Sequence, residues 1–224
     1  MRVSIIVPVY NEAATVAEVL ERLPALPFDK EIIVINDGST DGTKQALAPF
    51  ETRPGYRVHH SPVNLGKGSS LRIGFGMATG DIITIQDADL ELDPLEVPRL
   101  LEPVIAGRAD VVYGSRFLEG GRKGHWAFYM ANRSLSGLTN LLYGSHLTDI
   151  ETCYKVLRRD VLERLTLRAS RFEIEPELTA QLLKAGVEIL ELPISYNPRS
   201  RAQGKKISWR DGVAAVAMLV SQRL

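Results

Sequence analysis

The chain has 224 residues and one cysteine, Cys153. A lone thiol excludes an intramolecular disulfide framework and a Cys-rich zinc site, and it fits a reducing, cytoplasmic compartment. No excess of either charge is present: 27 Lys plus Arg stand against 27 Asp plus Glu. A nucleic-acid-binding domain is normally strongly basic, so that class is set aside. Long apolar runs are also missing. The late run Val213 to Val220 is eight residues, short of the ~18 that a membrane-crossing helix needs, so the chain is expected not to span a bilayer but to be able to lie against one. At the N-terminus, Met1-Arg2 is followed only by a short run, Val3 to Val9, interrupted by Ser4 and Pro8, which is not the form of a signal peptide. What remains is ordinary globular composition, 45% apolar and 24% charged. The length suits one α/β domain.

Short β-branched runs alternate with helical patterns through the first half. Strands are predicted over 3–8, 31–36, 57–60, 81–86 and 110–113. Helices are predicted between them, the first with Asn11 as N-cap and apolar positions Val16, Val19, Leu20 and Leu23 at helical spacing. Near-continuous apolar strands separated by helices imply a parallel sheet covered on both faces. The second half predicts a helix over 129–143, a strand over 152–157 containing Cys153, helices near 160–165 and 175–184, the latter stopped by Gly186, and a strand over 187–194. In such sheets ligands bind at the carboxyl ends of the strands. Tyr10, Asn11 and Glu12, then Asn36 and Asp37, then Asp87, Ala88 and Asp89 should therefore converge on one edge.

Gln86-Asp87-Ala88-Asp89-Leu90-Glu91 carries the sharpest chemistry. Positions two apart in an extended segment point to the same side, so Asp87, Asp89 and Glu91 can face a common point. Carboxylates so placed repel unless a cation lies between them, and Mg²⁺ or Mn²⁺ takes such oxygens together with substrate phosphates. The plain alternative is an acidic turn ending a strand.

Four segments in order decide the context: Pro8-Val9-Tyr10-Asn11-Glu12, Asn36 to Gly42, Asn64-Leu65-Gly66-Lys67-Gly68, and Asp87-Ala88-Asp89. Together they resemble the family-2 glycosyltransferases, over nearly the whole chain. Gly114-Ser115-Arg116, Thr148 to Lys155 and Gly204-Lys205-Lys206-Ile207 resemble the branch of dolichyl- and polyprenyl-phosphate hexose synthases, which often carries Gln where this chain has Glu91. The resemblance implies a Rossmann-like GT-A fold: an α/β domain with a mostly parallel central sheet and helices on both faces. It implies one domain over 1–224, with a nucleotide-sugar-binding half (1–116) and an acceptor-binding half (117–224) that ends in a basic loop and an amphipathic helix. Asp37 would accept from the N–H edge of a uracil or guanine, Pro8, Tyr10 and Glu12 would wall the base and ribose, and Lys67 with its loop amides would meet the nucleotide.

The implied reaction is a single inverting displacement on a nucleoside-diphosphate sugar, GDP-mannose or UDP-glucose, with a metal held at Asp89 stabilising the leaving charge. A lipid phosphate acceptor is largely ionised at neutral pH and needs little help from a base, whereas a hydroxyl acceptor needs one. Asp149 is the first candidate for a base or an acceptor-positioning carboxylate, and Glu151 is the reserve. Arg199, Arg201, Lys205, Lys206 and Arg210 place five cations in twelve residues with no acid among them. They form either a solvated tail or, with Arg116 and Arg122, a loop that closes over phosphate. Beside the apolar stretch at 213–220 they also suggest peripheral contact with an anionic membrane surface, and a membrane-protein partner is conceivable. The alternatives left open are a glycan or small-molecule hydroxyl acceptor, and a non-catalytic nucleotide-binding subunit. Cys153 is read as packing, and the four histidines as structural or exposed.

Overall fold

The computed structural model describes residues 1–118, 126–199 and 208–224. Strands β1 (Val3–Val9), β2 (Lys30–Asn36), β3 (Tyr56–His60), β4 (Ile82–Ile85), β5 (Val111–Ser115), β6 (Lys155–Arg158) and β7 (Ile189–Pro193) form one seven-stranded sheet in the order β3-β2-β1-β4-β6-β5-β7. The expected parallel arrangement holds for every strand except β6, which runs antiparallel to both β4 and β5.

β1 is sheltered along almost its whole length, as its Val/Ile run requires. Pro8 is tolerated there because β4 pairs with β1 only as far as Ile6. A backbone N–H at Pro8 would face the side where β4 has already ended, so no ladder bond is lost. Helices α1 (Val16–Arg22), α2 (Thr43–Glu51), α3 (Lys67–Met77), α4 (Val97–Ile105), α5 (Trp126–Tyr143), α6 (Arg159–Leu162), α7 (Ile174–Lys184) and α8 (Trp209–Arg223) complete the molecule. The main core joins the sheet to α1 to α4 and α7. A smaller cluster, Leu135, Leu147, Ile150, Ala180, Ala215 and Leu219, ties α5, α7 and α8 together.

Two local expectations are corrected. Asn11 does not cap α1. It adopts φ of 50°, accepts the Thr40 N–H at Oδ1 (2.8 Å) and donates its own backbone N–H to Ser39 Oγ, 2.9 Å away, so it staples the end of β1 to the loop after β2. Cys153 lies just before β6 rather than within a strand, since pairing begins at Lys155.

Candidate active site

Reversal of β6 has a consequence for function. The carboxyl ends of the six parallel strands share one edge, and the segment entering an antiparallel strand must approach along that same edge. Residues 148–154 are thereby brought beside the ends of β4 and β5.

The row Asp87, Asp89, Glu91 follows β4, and each member has its own partner. Asp87 lies 3.0 Å from Lys67 Nζ, which is also 3.2 Å from Glu175. Burial opposes the Asp87 charge, but Lys67 outweighs it and holds the carboxyl below its ordinary range. Asp89 is different: burial and the Asp87 charge push it up to about 7. Its Oδ1 accepts the Glu91 N–H at 3.1 Å and its Oδ2 takes Arg199 Nη2 at 2.7 Å. Glu12 receives the same guanidinium at 2.9 and 3.2 Å. Glu91 accepts the Arg199 backbone N–H at 2.9 Å.

Among the described residues no three His, Cys, Asp or Glu side chains are gathered into a ready cation cage. The donor set nevertheless suits a hard cation, because it consists of carboxylate oxygens, and Glu12, Asp89 and Glu91 already surround a positive charge, the Arg199 guanidinium. Arg199, expected at a phosphate, is thus found on acids.

Three further expectations meet a different geometry. Asp37 is buried, and it accepts Leu65 N and Gly66 N at 2.8 Å each and Asn64 Nδ2 at 2.9 Å, leaving about one of a carboxylate's four acceptor positions. Asp37 therefore holds the 64–66 loop, and the Leu65 and Gly66 amides are spent on it. The next amides are also spent, Gly68 N on Arg171 O and Ser69 N on Ser170 O. The glycines permit this closeness: Gly66 has φ of 94°, and a Cβ there would lie 2.4 Å from Ser170 O. Lys67 likewise points inward, at Asp87 and Glu175. Pro8, Tyr10 and Glu12 do line the end of β1 on the site edge and are partly exposed.

On the acceptor side, Arg116 follows β5 and donates through Nε and Nη2 to the two oxygens of Asp149, 2.7 Å each. Its backbone N–H adds a third bond at 3.0 Å. Asp149 is fully buried, and both of its oxygens are engaged by Arg116. Glu151 is pushed up to about 7 by burial and by the Glu175 charge. Arg122, Arg201, Lys205 and Lys206 lie outside the described residues.

Sequence reasoning missed four residues that hold these groups. Glu175 on α7 joins Lys67 to Lys155, whose ammonium is fully buried over the Tyr113 ring. Glu191 on β7 accepts Thr148 N, Thr148 Oγ1 and Asp149 N. Tyr196 stacks on Arg116. The available signal was a lone charge in an apolar run, as at Lys155 and Glu191.

A family profile described as Glycosyl transferase family 2 matches residues 4–166. The chain belongs to this glycosyltransferase family. The glycosyltransferase is 30% identical over 215 residues to the dolichol-phosphate mannosyltransferase of Pyrococcus furiosus, a match covering 92% of this chain and 59% of that protein. It is 32% identical over 225 residues to the undecaprenyl-phosphate mannosyltransferase of Micrococcus luteus, covering 96% and 92%. Among solved structures, glucosyl-3-phosphoglycerate synthase of Mycobacterium tuberculosis superposes with a TM-score of 0.77 at 24% identity, covering 98% of this chain and 80% of that one. That likeness concerns the fold, which is GT-A. The mycobacterial enzyme has been crystallised with Mn²⁺, UDP and glucosyl-3-phosphoglycerate.

Proposed function

We propose that this glycosyltransferase moves a hexose, mannose or glucose, from a nucleoside-diphosphate sugar to a polyprenyl or dolichyl phosphate, with inversion and with Mg²⁺ or Mn²⁺. The observation that carries the reading is the gathering of Glu12, Asp89 and Glu91 around one cation at the carboxyl edge of the sheet. The names of the Pyrococcus and Micrococcus relatives support the acceptor.

Residues 1–116 form the donor half and 117–224 the acceptor half. Asp87, Asp89 and Glu91 would hold the metal, which when bound supplies Lewis-acid stabilisation of the leaving diphosphate. Pro8, Tyr10 and Glu12 flank the nucleoside, and Asp37 keeps the loop beneath it rigid. Arg116, oriented by Asp149, offers its remaining guanidinium N–H donors to an incoming phosphate, with Arg122, Arg201, Lys205 and Lys206 as further cations. Occupation of Asp149 by Arg116 favours a phosphate acceptor, which needs no base at neutral pH.

A second reading, transfer to a hydroxyl, is favoured by one group only. Glu151, near 7, has the proton affinity of a working general base. Glu151→Gln would abolish transfer to a hydroxyl and spare transfer to a phosphate.

No helix of the described residues is long and apolar enough to cross a membrane. On α8, Trp209, Val213, Val216 and Val220 are exposed at helical spacing, a stripe that suits shallow contact with a bilayer holding the acceptor. The decisive experiment incubates the protein with radiolabelled GDP-mannose or UDP-glucose, Mn²⁺ and polyprenyl phosphate. Formation of lipid-linked sugar is expected, and its absence with every donor would refute the acceptor.

A further inference from the structure

Each acid in the row after β4 is neutralised by the protein itself. Asp87 has Lys67, and the others share Arg199. The arginine stands at the end of an extended stretch leaving β7, tethered where Ile194 N meets Ser115 O at 2.9 Å and Asn197 N meets Glu91 O at 2.9 Å. Its guanidinium reaches Glu12 through Nη1 at 2.9 Å and Asp89 through Nη2 at 2.7 Å, and its Nε lies 3.7 Å from Glu91. The four side chains are well shielded, with exposures of 17% for Arg199, 11% for Glu12, 16% for Asp89 and 15% for Glu91. In so shielded a place, three acids without a cation would repel strongly.

We propose that Arg199 is an internal counter-cation that a divalent ion must displace, so that metal uptake at Asp89 and Glu91 and release of the Arg199 arm from them and from Glu12 are a single exchange. This rests on the metal reading given above. The physical reason is competition for the same lone pairs. A Mg²⁺ or Mn²⁺ ion takes carboxylate oxygens at about 2.1 Å, and a guanidinium on those same oxygens would be held against a like charge. Reciprocity then follows: whatever favours the Arg199 contacts disfavours the metal, and by the same factor. The exchange couples occupation of the donor site to the position of the chain after β7, because Arg199 is attached to it.

The test is Mn²⁺ affinity without donor, measured at pH 8 from the electron paramagnetic resonance signal of free Mn²⁺. Arg199→Gln should bind Mn²⁺ at least about tenfold tighter than wild type, and Arg199→Lys, which keeps the charge, should stay near wild type. Equal or weaker binding by Arg199→Gln would overturn the exchange while leaving the metal site standing. No Mn²⁺ binding by any of the three proteins would overturn both. If Arg199→Gln fails to fold, the wild type answers alone: bound Mn²⁺ should raise deuterium uptake over residues 194–199. Unchanged uptake with Mn²⁺ bound refutes the proposal.

Discussion

Arg116 and Asp149 are joined by two parallel N–H···O bonds of 2.7 Å and a third from the Arg116 backbone, although thirty-three positions separate them in the chain. A bidentate pair of this kind acts as a unit. Asp149→Asn and Arg116→Lys should each lower kcat with a lipid phosphate acceptor by about 10²-fold, and the double variant should be little worse than either. The shape of the pH profile should survive Asp149→Asn, because the proposed role of the carboxylate is to hold Arg116 and not to transfer a proton. A loss that depends on pH would make Asp149 a base after all.

Glu175 bridges two buried ammonium groups, Lys67 and Lys155. Burial works against the Lys67 charge, yet Asp87 and Glu175 raise its pKa well above the ordinary value. Removing the shared acid takes the carboxylate from Lys155 and leaves Lys67 with Asp87 alone. Glu175→Gln should cost about 3 kcal/mol, a drop of roughly 6–12 °C in Tm for a chain of this size. A thermal melt unchanged from wild type would show that the chain of charges is not structural.

Glu151 predicts a pH dependence of stability. Its carboxyl is raised from 4.5 to about 7 in the folded protein, first by burial and then by Glu175. Between those values the folded state keeps a proton that the unfolded chain has lost, so this group favours folding less and less as pH rises. Relative to Glu151→Gln, wild type should lose on the order of 1–3 kcal/mol between about pH 5 and about pH 8. Parallel denaturation curves for the two proteins across that range would remove Glu151 as the cause.

The stripe on α8 predicts membrane affinity separable from folding. Trp209 and Val213 are 74% and 59% exposed, so replacing both with Ser should leave Tm within a degree or so of wild type. Binding to phosphatidylglycerol vesicles in a sedimentation assay should fall about tenfold or more, since burial of both side chains is lost. Equal sedimentation would place the membrane contact elsewhere.

Sequence alone determined the strands, the edge and the acidic row. Apolar β-branched runs ending in Asn36-Asp37 and in Gln86-Asp87-Ala88-Asp89 can be read locally, because strand propensity and the period of two are local properties. Family membership was legible for the same reason, since its motifs sit at strand ends. Partnership was not legible. Asp87 with Lys67 and Glu175, Asp149 with Arg116 and Glu191, and Glu12 with Arg199 are contacts between residues up to 187 positions apart. They exist because α3, α7, the segment entering the reversed strand β6, and β7 with the stretch after it bring these residues to the edge where β1, β2 and β4 end. A cation's sign is written in its residue, but which acid it neutralises depends on distance and desolvation, and only the packed sheet sets those.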